Sequence, residues 1–462
     1  MYQISFNNPI HVHFMGIGGI SMSGLAQILI NRGFTISGSD SKKSPLTIEL
    51  EEMGAHIFYS QVAENISKDI DLLVYTAAIS NDNPELNRAK EMGIPCMSRA
   101  DLLGEIMENF ASSICVCGTH GKTTTTSMVS HILLAAAKDP TITVGGILKA
   151  IDGNIRIGNS DYFVAEACEY TNSFLSFFPK YNIILNIEED HMDFFKDLAD
   201  IRNSFGKFAD NTKEDGLILI NEAIENNSEI INNSSAAHKT FGFSEKADCH
   251  PENLVYDSLG AGKFDVVYMG RNYGQVSLSV PGDHNVSNAL SAAALGIELG
   301  IDFKDIQTGL SSFTGADRRF EKKGELNGIT ILDDYAHHPT EISATLSAAK
   351  KTNAKRIVVA FQPHTYTRTK AFLDDFAKAL SVADVVVLAE IYAAREKNTI
   401  GISSRDLKEK IDELGTECHY FPTFEEIEKF LLEKCMNGDL LITMGAGNIV
   451  EIGENLLKGE GY

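Results

Sequence analysis

The sequence has little positive charge and no long hydrophobic run. Its 462 residues include 40 lysines and arginines against 63 aspartates and glutamates, which gives a formal net charge of −23. Proteins that bind nucleic acid usually carry an excess of positive charge, at least locally, so we expect neither DNA nor RNA as a partner. The longest apolar stretches, such as YNIILNI, are far shorter than the roughly 20 residues of a membrane-spanning helix. We therefore expect no membrane partner.

The sequence also lacks the marks of a secreted protein. The segment MYQISFNNPI has no basic stretch followed by an apolar core, so it predicts no signal peptide. The seven cysteines, an odd number, are scattered without a paired spacing. Cys115 and Cys117 lie in the apolar run ICVCG, and we favour buried strand thiols over a redox or metal role. Together these features predict a reducing, cytoplasmic location.

What the chain does contain is an alternation of short apolar strands with helical segments, which is typical of α/β proteins. At about 150 residues per domain, its length predicts three domains. We predict a Rossmann-like domain at residues 1–110 and a central P-loop ATPase-like α/β domain at 111–317. Short alternating runs between about 250 and 281 predict a small antiparallel insertion in the central domain. A third, Rossmann-like α/β domain is predicted at 318–462.

The most specific local motif is a predicted phosphate-binding loop between a strand and a helix. It comprises Gly118, Thr119, His120, Gly121, Lys122, Thr123 and Thr124. The two glycines lack Cβ, so backbone N–H groups and the helix N-terminus can approach phosphate oxygens closely. Lys122 supplies a charge for the β- and γ-phosphates of ATP, and the Thr123 hydroxyl can bind the accompanying Mg²⁺. The loop is two residues shorter than the standard pattern, so the alternative is a tight strand–helix turn without a ligand.

Acidic residues follow two further predicted strands of the central domain. Glu166 and Glu169 follow one strand, and Asp190 and His191 follow another. Ligands collect at the carboxyl ends of parallel strands, so both segments are expected near the phosphate loop. Glu166 suits a Mg²⁺ ion, whereas His191 suits it less well because Mg²⁺ prefers oxygen. The alternatives are a capping or surface acid for Glu166 and a buried structural histidine for His191.

A second glycine loop follows the first predicted strand. It contains Gly16, Gly18 and Gly19, and Asp40 ends the next strand, where a Rossmann domain places its ribose-binding acid. Ser21 occupies the third glycine position of the NAD pattern, so the motif predicts a diphosphate-containing ligand rather than NAD itself. A purely structural turn is the alternative. Two separate phosphate sites suggest ATP in the central domain and a second, nucleotide-linked substrate in the first.

Taken together, the motifs resemble the Mur ligase family over essentially the whole chain. In chain order they are GIGGISMSGLA, GTHGKTTTT, EACEY, NIEEDHMD, HNVSNALSA, RRFE, DDYAHHPTE, FQPHTYTRT and GAGNI. Within that family the chain is most similar to the members that add L-alanine. The resemblance implies an ATP-dependent, Mg²⁺-requiring amide ligase that joins L-alanine to the carboxylate of UDP-N-acetylmuramate, in peptidoglycan precursor synthesis.

The resemblance also implies roles for individual residues. Lys122 and Thr123 would hold ATP phosphates and Mg²⁺, with Glu166 and His191 as the metal-binding pair. Further contacts to ATP are implied at Asn285, Asn288, Arg319 and Asp334. The UDP diphosphate is expected at Gly16, Gly18 and Gly19.

The incoming amino acid is expected at His337, His338 and Arg368. Some relatives carry arginine after the histidine of FQPH, but this chain has Thr365 there. That departure argues against a two-arginine clamp on the alanine carboxylate and leaves Arg368 as the expected cation.

These residue types suit the implied reaction. A carboxylate is a poor electrophile, so it first takes the γ-phosphoryl group of ATP and becomes an acyl phosphate. Lys122, Mg²⁺ and Arg319 would offset charge on the transferring group. The alanine amine must be neutral to attack, and His337 or His338 could accept its proton, although either could instead be structural. Closure of the domains would exclude water from the acyl phosphate.

Three other functions fit parts of the sequence. A sister ligase that attaches a preformed peptide would share most motifs, although FQPHTYTRT and DDYAHHPTE favour the alanine enzyme. An NAD-dependent dehydrogenase would explain GIGG and Asp40 but not the GTHGKTT loop. A non-catalytic nucleotide-binding module would bind ATP without releasing phosphate in response to an acceptor.

Overall fold

The chain folds into two compact units, which are described separately below. The computed structural model describes residues 2–76, 79–80, 82–192, 194–257, 260–315, 318–394 and 396–459. The first unit comprises Met1–Lys122, Ala136–Gly145 and Ile151–Thr240, and the second comprises Thr123–Ala135, Gly146–Ala150 and Phe241–Tyr462. Across the described ranges, no helix is both long enough and apolar enough to cross a membrane.

The first unit begins with a five-stranded parallel sheet in the order β3-β2-β1-β4-β5. Its elements are β1 (His11–Met15), α1 (Ile20–Asn31), β2 (Thr35–Ser39), α2 (Pro45–Glu52), β3 (His56–Phe58), β4 (Leu72–Tyr75), α3 (Pro84–Glu91), β5 (Cys96–Ser98) and α4 (Arg99–Met107). Successive strand residues point to opposite faces. Leu72 and Val74 accordingly join one hydrophobic cluster, and Leu73 joins another. Apolar side chains are therefore buried on both faces, as in a doubly wound sheet.

The second sheet of this unit contains the strand that leads into the phosphate loop. Its elements are β6 (Ser112–Cys117), α5 (Lys122–Ala135), β7 (Thr141–Leu148), β8 (Gly153–Arg156), β9 (Tyr162–Glu166), β10 (Tyr181–Ile184), α6 (Leu198–Asp210), β11 (Leu217–Asn221), α7 (Asn227–Ile231) and β12 (Ala237–Phe241). The strand order is β12-β11-β10-β6-β9-β7-β8, with β10, β6 and β9 parallel. Because β6 lies between β9 and β10, the segments that follow all three strands meet at one edge. Helix α5 begins in this unit and continues in the second.

Besides most of α5, the second unit contains three antiparallel strands and two helices that follow β12. They are β13 (Cys249–Tyr256), β14 (Ala261–Tyr268), β15 (Arg271–Pro281), α8 (Asp283–Glu298) and α9 (Phe303–Ser312). β13 pairs with β14 and β14 pairs with β15, both antiparallel. The antiparallel insertion predicted between about 250 and 281 is therefore present.

The second unit also contains a six-stranded sheet in the order β16-β17-β21-β18-β19-β20. Its elements are β16 (Glu321–Leu326), β17 (Ile329–Asp334), α10 (Pro339–Lys350), β18 (Arg356–Phe361), α11 (Tyr366–Ala371), α12 (Leu373–Leu380), β19 (Val385–Leu388), α13 (Ser404–Glu413), β20 (Glu417–Tyr420), α14 (Phe424–Lys434), β21 (Asp439–Met444) and α15 (Val450–Lys458). The strands are parallel except β16, which is antiparallel to β17. Val358 and Val359 join opposite hydrophobic clusters, so both faces of the sheet are buried.

The predicted α/β class, with Rossmann-like parallel sheets and a small antiparallel insertion, is confirmed. The sequence analysis did not identify β3, β5, β7, β8, β12, β16 or β20. The first two have three residues each, too few for a periodic pattern. β16, with the sequence EKKGEL, is a half-buried edge strand with mostly polar residues, so it lacks an apolar signature.

Gly104 lets α4 pack closely against the 3₁₀ segment Tyr170–Ser176. A Cβ at position 104 would overlap the backbone carbonyl of Ser176. We expect Gly104→Ala to destabilise the protein by about 2 kcal/mol, because one backbone must move away from the other. Gly206 in α6 is the matched control, since the nearest atom to its added Cβ is 3.7 Å away.

Thermal unfolding followed by circular dichroism measures both variants. Gly206→Ala should unfold at or above the wild-type temperature, because alanine is the better helix former. An unchanged unfolding temperature for Gly104→Ala would contradict the close packing of α4.

Candidate active site

The phosphate loop connects β6 to α5 through two glycines with positive φ. Gly118 has φ +144° and Gly121 has φ +84°, values that residues with a Cβ rarely adopt. A Cβ at Gly118 would also lie 2.9 Å from Cβ of Leu185. Both glycines are therefore required by the path of the chain, which brings the loop to the N-terminus of α5.

Asn186, which follows β10, holds the loop from the side. His120 N–H donates to Asn186 Oδ1 at 2.8 Å, and Asn186 Nδ2 donates to the His120 carbonyl at 3.0 Å. Thr119 N–H donates to the Asn186 carbonyl at 3.2 Å. Glu188 N–H donates to Thr119 Oγ1 at 2.9 Å. The segment after β10 thus fixes the shape of the loop, a role that the sequence analysis missed for Asn186.

Lys122 forms an almost fully buried ion pair with Glu169. Lys122 Nζ lies 2.9 Å and 3.2 Å from the two carboxylate oxygens, and the Glu169 side chain is 2% exposed. The ammonium also donates to the carbonyls of Gly118 and Thr119. Burial alone would lower the pKa of Lys122, but nearby negative charges, Glu169 above all and Glu166 among them, raise it above its ordinary value. Lys122 is therefore charged and its position is fixed.

The two predicted metal residues, Glu166 and His191, lie in the first unit. Glu166 ends β9, and its Oε1 accepts the Gly145 N–H at 2.7 Å. His191 Nε2 lies 3.7 Å from Glu169 Oε1 and 3.8 Å from Asp190 Oδ2. Carboxylate oxygens suit Mg²⁺, so the chemistry of Glu166 fits that ion, and the Glu169 and Asp190 carboxylates lie beside His191. Glu169 and Asp190 were noted as strand-end acids but not assigned.

Thr123, the remaining predicted metal residue, belongs to the second unit. A Cβ on Gly146 would lie 3.4 Å from Thr123 Cγ2, so the glycine leaves room beside that side chain. The Thr123 carbonyl accepts from Ser127 Oγ at 2.7 Å. Thr124 follows in the first turn of α5 and is half-buried.

The N-terminal glycine loop is closed onto the end of β2. Gly16 and Ile17 N–H groups both donate to the Ser39 carbonyl, at 2.8 Å and 3.0 Å, and Gly19 N–H donates to the Gly16 carbonyl at 3.2 Å. Gly18 N–H donates to Asp40 Oδ2 at 2.9 Å. The predicted ribose-binding acid is therefore brought together with the glycine loop.

The two arginines of RRFE have different environments. Arg318 donates to Asp333 at 2.9 Å and to the carbonyls of Gly447 and Gly445 at 2.9 Å and 2.7 Å, so it joins β17 to the loop after β21. Arg319 lies over the Tyr335 ring, and its Nη1 is 3.7 Å from Glu341 Oε1. Arg318 is thus held by hydrogen bonds to Asp333 and to two backbone carbonyls, whereas Arg319 makes longer contacts to Tyr335 and Glu341.

Asp334 is buried beside this arginine pair. Its carboxylate accepts the Phe320 and Ala336 N–H groups, both at 2.8 Å. Burial raises the pKa of Asp334 to about 6, although the charge of Arg319 opposes this shift. Asp334 and Arg319, predicted to share the nucleotide, are therefore neighbours.

Asn285 and Asn288 lie one turn apart on α8, and both are buried. Asn285 Nδ2 donates to the Pro281 carbonyl at 2.7 Å. That bond anchors the start of the helix to the end of β15. No contact described for either asparagine, within the part of the second unit that the structure covers, involves Arg319.

The two adjacent histidines also differ. His337 Nδ1 lies 3.0 Å from the Tyr335 carbonyl, which can only accept, so Nδ1 carries the hydrogen and Nε2 is left as an acceptor. Glu341 Oε2 lies 3.1 Å from the same Nδ1. His338 instead caps α10, where its Nδ1 accepts the Thr340 N–H at 3.4 Å.

Arg368 lies on α11, close to His364. Arg368 Nη1 is 3.4 Å from His364 Nδ1, and the His364 and His337 rings are 5.8 Å apart. Thr365 has φ +65° and ψ 146°, a strained conformation for a β-branched residue. Glu396 caps α11 by accepting the Tyr366 and Thr367 N–H groups at 2.7 Å and 3.0 Å. His364 is the histidine of the FQPH motif, and no role was predicted for it from the sequence.

The phosphate loop at the edge of a parallel sheet defines a nucleotide-binding α/β protein. Three family descriptions match the chain: the Mur ligase family catalytic domain over residues 11–111, the Mur ligase middle domain over 116–296 and the Mur ligase glutamate ligase domain over 318–447. The chain belongs to the Mur ligase family, which confirms the predicted resemblance.

Individual relatives are similar over nearly the whole chain. A UDP-N-acetylmuramate–L-alanine ligase of Agathobacter rectalis is 62% identical over 458 residues, covering 99% of this chain and 100% of that protein. The crystal structure of a UDP-N-acetylmuramate-alanine ligase from Thermotoga maritima matches with a TM-score of 0.78 at 32% identity, covering 98% of this chain and 99% of the other. A murein peptide ligase from Psychrobacter arcticus matches with a TM-score of 0.66 at 26% identity, covering 98% and 99%.

His364 gives a test of the environment around Arg368. Burial, with the neighbouring His337 and Arg368 side chains, lowers the pKa of His364 to about 4. In the unfolded chain a histidine titrates near about 6.5, so the folded state binds fewer protons between these values. We therefore expect His364 to weaken folding as the pH falls from about 6.5 to about 4.

Proton NMR of the imidazole resonances measures this, with His364→Gln used to assign the signal. The His364 resonance should titrate near pH 4, and the stability of His364→Gln should fall less than that of the wild type over the same range. A titration midpoint at the ordinary histidine value would contradict the buried environment.

Proposed function

We propose that the chain catalyses the ATP-dependent ligation of L-alanine to the carboxylate of UDP-N-acetylmuramate, in peptidoglycan precursor synthesis. The observation that carries this proposal is the 62% identity, over the whole length, to a ligase of that name. The lower identity of 26% to a peptide ligase supports alanine over a preformed peptide. Membership of a ligase family also argues against the dehydrogenase alternative.

The three domains would divide the substrates. Residues 1–110 would bind the UDP-sugar through Gly16, Gly18 and Gly19, with Asp40 beside them. Residues 111–317 would bind ATP, and residues 318–462 would bind alanine. The hydrogen bond from Gly18 N–H to Asp40 supports a single UDP-sugar site formed by Asp40 and the three glycines. The diphosphate of the UDP-sugar would accept hydrogen bonds from the loop N–H groups, in addition to or in place of the bonds that these groups make to Ser39, Gly16 and Asp40.

In the first half of the reaction, a carboxylate oxygen of the sugar attacks the γ-phosphorus of ATP. The products are an acyl phosphate and ADP. Lys122, the loop N–H groups and Arg319 would offset the negative charge on the transferring group. Mg²⁺, held by Thr123, Glu166 and His191, would supply further positive charge to the phosphates.

The remaining ATP contacts would come from the second unit. Thr124 follows the metal-binding threonine in α5. Asn285 and Asn288 would meet the adenine, and Asp334 would also contact the nucleotide. The shared position of Asp334 and Arg319 supports their joint assignment. In the phosphate loop, Gly118, Thr119, His120 and Gly121 would contribute backbone donors.

In the second half, the neutral amine of alanine attacks the acyl carbon and phosphate leaves with the former carboxylate oxygen. His337 is the better proton acceptor of the two histidines, because its Nε2 is left as an acceptor while His338 caps α10. Arg368 would bind the alanine carboxylate. The lowered pKa of His364 keeps that ring neutral, so it adds no second positive charge beside Arg368.

A cytoplasmic location is part of the same proposal. All seven cysteines are free, as expected in a reducing compartment. The proposed reaction also uses ATP, which supports the same location.

Phosphate release tests the proposed function directly. With ATP, Mg²⁺ and UDP-N-acetylmuramate, we expect release on addition of L-alanine, and little with a tripeptide. Lys122→Ala should abolish release while its affinity for the sugar nucleotide stays within about threefold, because the glycine loop and Lys122 follow strands of two different sheets. Release that depends on the tripeptide, or that needs no acceptor, would contradict the assignment.

Arg368→Lys tests the amino-acid site. A guanidinium binds a carboxylate through two parallel hydrogen bonds, which an ammonium does not reproduce. We expect a loss of about 2 kcal/mol in alanine binding, or about thirtyfold in its KM. The KM values for ATP and the sugar nucleotide should change little. An alanine KM within about threefold of wild type would remove Arg368 from the site.

A further inference from the structure

Glu169 is a buried acid to which the mechanism above gives no direct role. Its side chain is 2% exposed, and both of its oxygens contact the Lys122 ammonium. An ammonium has three N–H donors. The partners of Lys122 Nζ include the carbonyls of Gly118 and Thr119 and both oxygens of this carboxylate, which is enough to occupy all three donors.

A nucleotide phosphate can therefore gain Lys122 only by replacing one of these partners. The two carbonyls are neutral and belong to the loop itself. Glu169 is the anion among these three partners, so it is the one that a negatively charged phosphate oxygen can replace at Lys122. The released carboxylate would then be buried without its cation, which is costly. A second cation must compensate it.

The surroundings of Glu169 indicate where that cation belongs. His191 Nε2, a proposed metal ligand, lies 3.7 Å from Glu169 Oε1 and 3.8 Å from Asp190 Oδ2. Glu169 therefore faces the same region as the residues proposed to hold the metal. A divalent cation that arrives with the nucleotide supplies the missing positive charge.

We propose that Glu169 couples the metal to the nucleotide: it neutralises Lys122 in the empty enzyme and turns to the divalent cation when a phosphate takes Lys122. This inference rests on the proposed ATP site. Without metal, the nucleotide competes with the Glu169 carboxylate for Lys122. With metal, that competition is relieved. Glu169 is thus a positioning residue that disfavours metal-free nucleotide.

Equilibrium binding of a non-hydrolysable ATP analogue, with Mg²⁺ or with EDTA, measures this coupling. In EDTA we expect Glu169→Gln to bind the analogue about tenfold more tightly than wild type, within the usual range of coupling between sites. With Mg²⁺ the two proteins should differ by less than about threefold. The factor by which Mg²⁺ increases the affinity for the ATP analogue should therefore be smaller in Glu169→Gln than in wild type.

Glu189→Gln is the matched control, because Glu189 is an acid that follows β10, on the other side of β6 from β9, and it is exposed. It should keep the wild-type enhancement. Equal changes with Mg²⁺ and with EDTA in Glu169→Gln would show a merely structural role and overturn the proposal. Ligation by the wild type is measured separately, so failure of the coupling and failure of the proposed function are distinguishable.

Manganese binding without nucleotide decides the case if Glu169→Gln does not fold. In Lys122→Gln the carboxylate has lost its cation, so we expect Mn²⁺, followed by electron paramagnetic resonance, to bind at least about fivefold more tightly than in wild type. An Mn²⁺ affinity of Lys122→Gln unchanged from wild type would contradict the proposal that Glu169 turns from Lys122 to the divalent cation.

Discussion

The loop between β6 and α5 must hold a full positive charge inside a chain with a net charge of −23. Lys122 is fixed there by Glu169 behind it and by two carbonyls of its own loop. Asn186 then fixes the loop from the neighbouring strand end. The parallel pairing of β6 with β9 and β10 makes this arrangement available, because it brings both partners to the same edge. The proposed phosphate chemistry depends on that one charge being correctly placed.

In the second unit, two pairs of adjacent residues differ in their backbone hydrogen bonds: one member of each pair is held by the backbone, and the other keeps polar groups that a ligand could contact. Arg318 and His338 are held by carbonyls and by a helix N-terminus, whereas their neighbours Arg319 and His337 keep groups that can meet a ligand. Glu396 similarly caps the helix that carries Arg368. In the proposed site, Arg318 and His338 would therefore maintain the fold, while Arg319 and His337 would contact the ligands.

Sequence patterns were enough to predict the α/β class, the phosphate loop and the acids at the strand ends, because each follows from local periodicity and a short motif. The partners of Lys122 could not be predicted in this way. Glu169 and Asn186 meet the loop only through strand pairing over a distance of more than 40 residues. The structural role of Arg318 could not be predicted either, because its partners, Asp333 and the carbonyls of Gly445 and Gly447, are distant from it in the sequence.

The central claim is that this chain activates a carboxylate by transferring a phosphoryl group to it. The most direct measurement uses UDP-N-acetylmuramate with ¹⁸O in its carboxylate, and follows the label by mass spectrometry of the released phosphate. If an acyl phosphate forms and alanine displaces it, one labelled oxygen passes to each inorganic phosphate while the amide keeps the other. Phosphate without label, released in step with ligation, would contradict the account.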